Sequence, residues 1–153
     1  MAYDNQRESD PLVSYQFRLD VSGKITGFFQ DVSGIGSETT VVSQDITDSN
    51  GRAVVQKIPG RLVWTDVTLS RGITANTEIW DWRKEVEDGK MNDARRNCSI
   101  VLLDAAGQPA AQWDFVNAWP SKVSGPEIKA GSNDFAVEQV TLVHEGMTRV
   151  QPA

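Results

Sequence analysis

Val13, Tyr15, Phe17, Leu19 and Val21 alternate with Ser14, Gln16, Arg18 and Asp20 without exception. A period of two places the two sets on opposite faces of a pleated chain, so this segment predicts a strand with one buried face. Gly23-Lys24 predicts a turn, and Ile25 to Val32 a returning strand whose Phe28-Phe29 pair puts bulk on both faces. Glu38 to Ile46 is rich in threonine and valine, which suit a pleated surface, and predicts a third strand. Residues 47–60, from Thr47-Asp48-Ser49-Asn50-Gly51 to Pro59-Gly60, surround a short Ala53-Val54-Val55 step with turn formers. They read as a long central loop or a protruding hairpin tip, and long loops inside compact domains are usually functional. Strand signals resume from Arg61 to Ser70, with Leu62 and Trp64 on one face and Val63, Val67 and Leu69 on the other.

Helical spacing occurs once. Asn76 or Thr77 can cap a helix whose first turn carries Glu78 and Asp81, and Gly89 stops it. Ile79, Trp82 (or Arg83) and Val86 form a narrow apolar stripe, with Trp80 off it. Beyond the helix, Ser99-Ile100-Val101-Leu102-Leu103 is apolar on both faces and too short for a helix. Asp104-Ala105-Ala106-Gly107 turns the chain, and Ala111, Trp113 and Phe115 lead the returning strand. A connector holding Gly125-Pro126 and Gly131-Ser132-Asn133 follows Trp119-Pro120. The last strand runs from Asp134 to about His144, and a phase shift between Val137 and Val140 suggests a bulge or burial on both sides.

This inventory of six or seven strands and one helix predicts a mainly β, antiparallel sandwich or partly closed barrel with one flanking helix and a long central loop. It forms a single domain over residues 1–153, with residues 1–11 as a flexible lead-in. Residues 62–69 and 99–103 are apolar on both faces although one helix cannot cover them all. Either the opposite sheet or a neighbouring subunit supplies the second cover.

Composition narrows the function. Fifteen basic against twenty-one acidic residues leave a net charge of −6, which opposes non-specific binding to a phosphate backbone. The one cysteine, Cys98, precludes an intramolecular disulfide and reads as a buried strand residue. The polar start from Met1 to Glu8 lacks the layout of a signal peptide, and no apolar stretch is long enough to span a bilayer, so cytoplasmic synthesis without membrane insertion is expected.

No catalytic constellation emerges. The single histidine, His144, rules out a two-histidine metal motif and reads as a strand-end residue. A Cys98–His144 nucleophile–base pair has no signature around either residue. Asp48-x-Asn50-Gly51 has the middle of a calcium loop, yet in register the end ligands would be Ile46 and Lys57, so it is an Asx turn. Gly34-Ile35-Gly36 precedes a strand rather than a helix and is no dinucleotide fingerprint. Arg95-Arg96 beside Lys90 reads as a surface or subunit contact. The five tryptophans, Trp64, Trp80, Trp82, Trp113 and Trp119, are spread over different elements and read as packing. No cofactor, metal or catalytic residue is expected.

Several short words occur in order along the chain: Tyr15-x-Phe17-x-Leu19, Val32-Ser33-Gly34, Lys57-x-Pro59-Gly60, Val67-Thr68-Leu69-x-Arg71-Gly72-Ile73-Thr74, Trp80-x-Trp82 and Asp88-Gly89-Lys90. They continue with Ser99 to Asp104, Trp113-x-Phe115-x-Asn117-Ala118-Trp119-Pro120 and His144-Glu145-Gly146. Together they resemble the tail-tube proteins of contractile phages and of extracellular contractile injection systems. Asn97-Cys98-Ser99, where a glycine is usual before the serine, and Met147, where leucine is usual, depart from that pattern.

The resemblance implies a structural subunit that joins side by side into hexameric rings. Their inner sheets line a channel, the rings stack into a tube, and a contractile sheath drives the tube through a target envelope. The implied partners are other copies of the chain, the sheath protein, baseplate and terminal cap proteins, and luminal cargo, either an effector protein or DNA. An acidic lumen would let acidic cargo slide. Candidate subunit contacts are Asp48, Asn50, Gly51, Arg52, Val54, Lys57, Pro59, Arg71, Arg95, Arg96 and Glu145. Two other readings stay open: a shed ring-forming effector carrier resembling the type VI secretion tube protein, and a monomeric β-sandwich that binds a ligand through its tryptophans.

Overall fold

The structure is a computed structural model that describes residues 16–126 and 136–152. The lead-in over residues 1–11, the start of the first predicted strand, Gly131-Ser132-Asn133 and the Asp134-Phe135 start of the last strand lie outside the described residues.

Strands β1 (Gln16–Val21) and β2 (Lys24–Phe29) form a hairpin through Ser22 and Gly23. Both turn residues have positive φ, 51° and 81°, as a two-residue turn matched to the strand twist requires. Short β3 (Asp31–Ser33) follows. Next come β4 (Ser37–Thr47) and β5 (Ala53–Trp64), which among the described residues pair only with each other, then β6 (Val67–Gly72). Helices α1 (Glu78–Glu87) and α2 (Met91–Ala94) lead into β7 (Arg96–Leu103), β8 (Pro109–Ser124), β9 (Val137–Val143) and β10 (Gly146–Val150). Apart from the β4–β5 arm, the strands follow the open path β2-β1-β7-β8-β9-β6-β3, with β10 on β8.

Long β8 makes the sandwich. Its first part pairs with β7 and β10, and residues from Trp119 onward pair with β9. Asn117, with φ of 49°, sits where β8 passes from one sheet to the other, its amide donating to Asn97 Oδ1 at 3.2 Å. Leu19, Phe29, Leu69, Ile100, Phe115 and Leu142 meet in the core between the layers. The stripe on α1 packs there: Ile79 and Trp82 are buried, Val86 half-buried, and Trp80 exposed. Trp82 Nε1 donates to the Ala94 carbonyl at 2.6 Å, fastening α1 to α2. Thr77 takes the cap position, while Asn76 Oδ1 accepts from the Glu78 amide at 2.8 Å.

Several expectations change. Of the two readings of residues 47–60, the hairpin tip holds and the long loop does not: the turn has five residues, since Ala53 onward belongs to β5 in register with β4. The strand from Arg61 to Ser70 is two strands: Thr65-Asp66 is a joint, so the two-faced pattern of residues 62–69 comes from reading across it. β6 by itself alternates regularly, with Val67 and Leu69 buried. β8 continues through Trp119-Pro120 to Ser124, because Pro120 lies at a register shift where no ladder donor is needed. The phase shift in β9 is neither a bulge in that strand nor double burial: Glu138 points inward and Val137 outward. Two elements, α2 and β10, had not been anticipated.

Candidate assembly surface

The β4–β5 arm has no core of its own. Every residue of β4 is exposed, and within β5 only Trp64 is partly covered. Of the thirteen large hydrophobic side chains exposed among the described residues, eight lie on this arm: Val41, Val42, Ile46, Val54, Val55, Ile58, Leu62 and Val63. Cross-strand register sorts them. Val42–Ile58 and Ile46–Val54 share one face with Gln44–Gln56 between them, while Val41–Pro59, Ser43–Lys57 and Asp45–Val55 share the other. Apolar groups on both faces mean that neither can rest on water without cost. At ~3.3 Å per residue, a strand of this length reaches about 40 Å, roughly the width of a whole domain of this size.

Asp48 builds the tip. Its Oδ1 accepts from the amides of Asn50 and Arg52 at 2.9 and 2.8 Å, and Gly51 has φ of 77°. This is the expected Asx turn. At the other end the arm leaves the body through Gly34–Gly36 and Thr65-Asp66. Gly34 has φ of 84°, and a Cβ there would run into the Asp66 carbonyl oxygen.

The predicted contact residues divide accordingly. Asp48, Asn50, Gly51, Arg52, Val54, Lys57 and Pro59 all come together on the arm, where Asp48 and Gly51 shape the turn and the others are outward-facing. Arg95 is exposed on the body. Arg96 turns back onto its own chain: Nη2 lies 2.9 and 2.8 Å from the Glu85 carboxylate oxygens, and the guanidinium lies 5.7 Å from the centre of the Trp82 ring. Glu145 is exposed and accepts from Asn117 Nδ2 at 2.7 Å. Arg71 is a correction. It is 5% exposed and paired inside the core with Glu138, so it offers nothing to a neighbour's surface. Sequence reasoning missed Val41, Val42, Ile46, Val55, Ile58, Leu62 and Val63 as a connected surface. The threonine–valine alternation of residues 38–46 looks the same whether a strand packs on its own core or on another molecule.

The chemistry-bearing residues are occupied structurally. Cys98 is buried, and its thiol is pushed up to about 12, first by burial and then by the charge of Asp114, so it stays protonated at neutral pH. His144 Nε2 lies 3.2 Å from the Thr65 carbonyl oxygen, and its ring packs on Phe115. The described residues line cavities that include two of about 310 and about 490 Å³. In the first, Arg96 is tied to Glu85; in the second, Asp114 is satisfied by Ser99 and Gln112. The tryptophans do not form a platform: Trp82 is in the core, Trp113 lies beneath Arg149, and Trp64 stands at the arm's root.

The family profile of the T4-like virus tail tube protein gp19 matches residues 13–148. The chain belongs to this tail-tube family. Among curated proteins, none matches it. Solved structures do. A chain of the PVC sheath-tube complex, an extracellular contractile injection system in its extended state, is 26% identical with a TM-score of 0.75, each chain covered at 100%. A chain from the cap of the anti-feeding prophage is 23% identical with a TM-score of 0.68, over 97% of this chain and 99% of that one. Hcp1 from Flavobacterium johnsoniae shares the fold at 16% identity and a TM-score of 0.56, covering 88% and 94%. As a tail-tube protein the chain is a structural component of a phage tail or injection particle, not an enzyme.

Proposed function

We propose that this tail-tube protein forms the inner conduit of a contractile particle, with copies joined side by side into hexameric rings and rings stacked into a tube. The exposed apolar arm carries the reading. An isolated two-stranded hairpin is marginal in water, and this one holds eight large exposed hydrophobic side chains, a surface suited to burial against a second molecule. Its reach matches the width of one subunit, so the arm lies across the next ring, and Arg52, Val54, Lys57 and Pro59 are its contacts there. Arg95 and Glu145 are contacts of the body.

The face formed by the outward positions of β3, β6 and β9 suits the channel wall. It carries Ser33, Thr68, Ser70, Val137, Gln139 and Thr141, all uncharged, with Asp31 on β3 and Lys122 on β8 at its two sides. Such a wall is neutral rather than acidic, and effector protein or DNA would slide over it without adhering. A sheath protein surrounds the tube, and baseplate and cap proteins close its ends. Assembly takes place in the cytoplasm of the producing cell. A shed, unstacked ring would leave the arm uncovered, and for that reason the stacked tube is preferred.

Electron microscopy of the purified protein, alone and co-expressed with a sheath protein, tests the proposal. Six-fold rings or hollow stacked tubes are expected. A protein that stays monomeric under both conditions overturns it.

A further inference from the structure

We infer that His144 is the positioning residue that sets the direction in which the β4–β5 arm leaves the body; the inference rests on the arm being an assembly element. The arm hangs from two short crossings, residues 34–36 and 65–66, neither of which pairs with a body strand. Its last backbone rung is the Thr65 amide donating to the Gly36 carbonyl at 3.2 Å. Beyond that rung, His144 is the one body side chain among the described residues that hydrogen-bonds to either crossing.

The geometry is that of a clamp. A carbonyl oxygen only accepts, so Nε2 of His144 carries a proton and donates to Thr65 O at 3.2 Å. The same ring stands edge-on to Phe115, with centroids 4.8 Å apart, and Phe115 is a core residue. The ring also meets Trp64, with centroids 5.7 Å apart and a tilt of 53°. Trp64 is the arm residue adjacent to the joint and the part of β5 that is not fully exposed. A file of three rings therefore runs from the core through His144 to the base of the arm, and one hydrogen bond pins the joint beside it. Aromatic contacts of this kind hold orientation as well as area. His144 itself is fixed in the short link between β9 and β10, where the Glu145 amide donates to the Val116 carbonyl at 2.9 Å. A lever about 40 Å long magnifies any looseness at its root, so a small angular freedom at Thr65 displaces the tip by many ångströms.

Pulsed spin–spin distance measurement reads this directly. Labels go at Asn50→Cys on the tip and Gln108→Cys on the body, in a Cys98→Ala background, at a concentration where the chain is not assembled. With His144 present a narrow distance distribution is expected. His144→Ala should broaden it at least twofold, and the unlabelled variant should form tubes at least tenfold less readily at equal concentration. An unchanged distribution in His144→Ala overturns the inference. If that variant fails to fold, His144→Phe carries the same test: it fills the space but cannot donate to Thr65, and it too must broaden the distribution. Loss of assembly by the wild-type chain would sink the proposed function, while the tip-to-body distance would still decide the role of His144.

Discussion

Arg71 and Glu138 face each other across β6 and β9, with Nη2 3.2 Å from Oε1, and both side chains lie inside the core. The guanidinium also stacks over Phe29, 4.9 Å from the ring centre, and passes so close to Gly27 that a Cβ there would collide with it. Three strands thus converge on one arginine. Among the described residues Arg71 Nε and Glu138 Oε2 have no hydrogen-bond partner, so the pair recovers only part of its desolvation cost. Its consequence is register, because a one-residue slip of β9 would carry Glu138 outward and leave Arg71 alone.

Removing one partner should therefore cost more than removing both. Glu138→Gln leaves a buried uncompensated cation and is expected to destabilise the subunit by about 3–5 kcal/mol in urea denaturation. The double variant Arg71→Met, Glu138→Leu should recover most of that loss. Single and double variants of equal stability would contradict this account.

The joint of the arm makes a second demand. At Gly34, positive φ and the nearby Asp66 carbonyl both act against a side chain. Gly34→Ala should destabilise the subunit by roughly 2–4 kcal/mol, combining backbone strain with overpacking. Gly51, whose Cβ direction is open, carries only the first of these penalties, so Gly51→Ala should lose about 1–2 kcal/mol and leave the body intact. Thermal melts of the two variants give the comparison.

How much of this was visible beforehand depended on whether the information was local. The helix was legible because the spacing of Ile79, Trp82 and Val86 and the stop at Gly89 are short-range. The Asx turn at Asp48 was legible for the same reason. Glu138 was not: periodicity assigns charges to water, and its partner is 67 positions away. β8 was cut short because Trp119-Pro120 looks like a strand end, whereas Pro120 sits at an irregularity in the ladder. The arm was half legible. Its turn residues were seen, but alternation cannot tell whether a covered face is covered by the same chain.

Separating assembly from folding follows from that distinction. Ile58 and Val42 form one exposed apolar pair on the arm. Ile58→Asp or Val42→Lys should leave the melting of the isolated subunit within about 0.5 kcal/mol of wild type, as exposed substitutions usually do. Either should abolish stacked tubes in electron micrographs. A large loss of monomer stability would mean that the arm belongs to the subunit's own core.

Lateral joining has its own signature. Asp31 and Lys122 are exposed at opposite sides of the same sheet face, so a head-to-tail ring brings Asp31 of one copy toward Lys122 of the next. Asp31→Lys and Lys122→Asp should each reduce ring formation in analytical ultracentrifugation by about three- to tenfold at low salt, and the effect should shrink at high salt. The double swap should restore it. Failure of the double variant to recover would place the lateral joint elsewhere.

Cys98 supplies a pH test of the core. Its thiol is pushed up to about 12 in the folded chain, by burial above all and by Asp114 second, against about 8.5 for an unfolded cysteine. Above about pH 8.5 the unfolded state binds fewer protons than the folded one, so deprotonation favours unfolding. The contribution is fully present below that pH and is lost as pH rises toward 12, with a slope of at most about 1.4 kcal/mol per pH unit from this group. Stability curves of the wild type and Cys98→Ala, measured by urea at pH 8 and pH 10, should therefore converge as pH rises. The native thiol should also resist alkylation at pH 8 and react once the subunit is unfolded. Parallel curves, or rapid alkylation of the native subunit, would show that Cys98 is more open to water than its buried place on β7, between β1 and β8, requires.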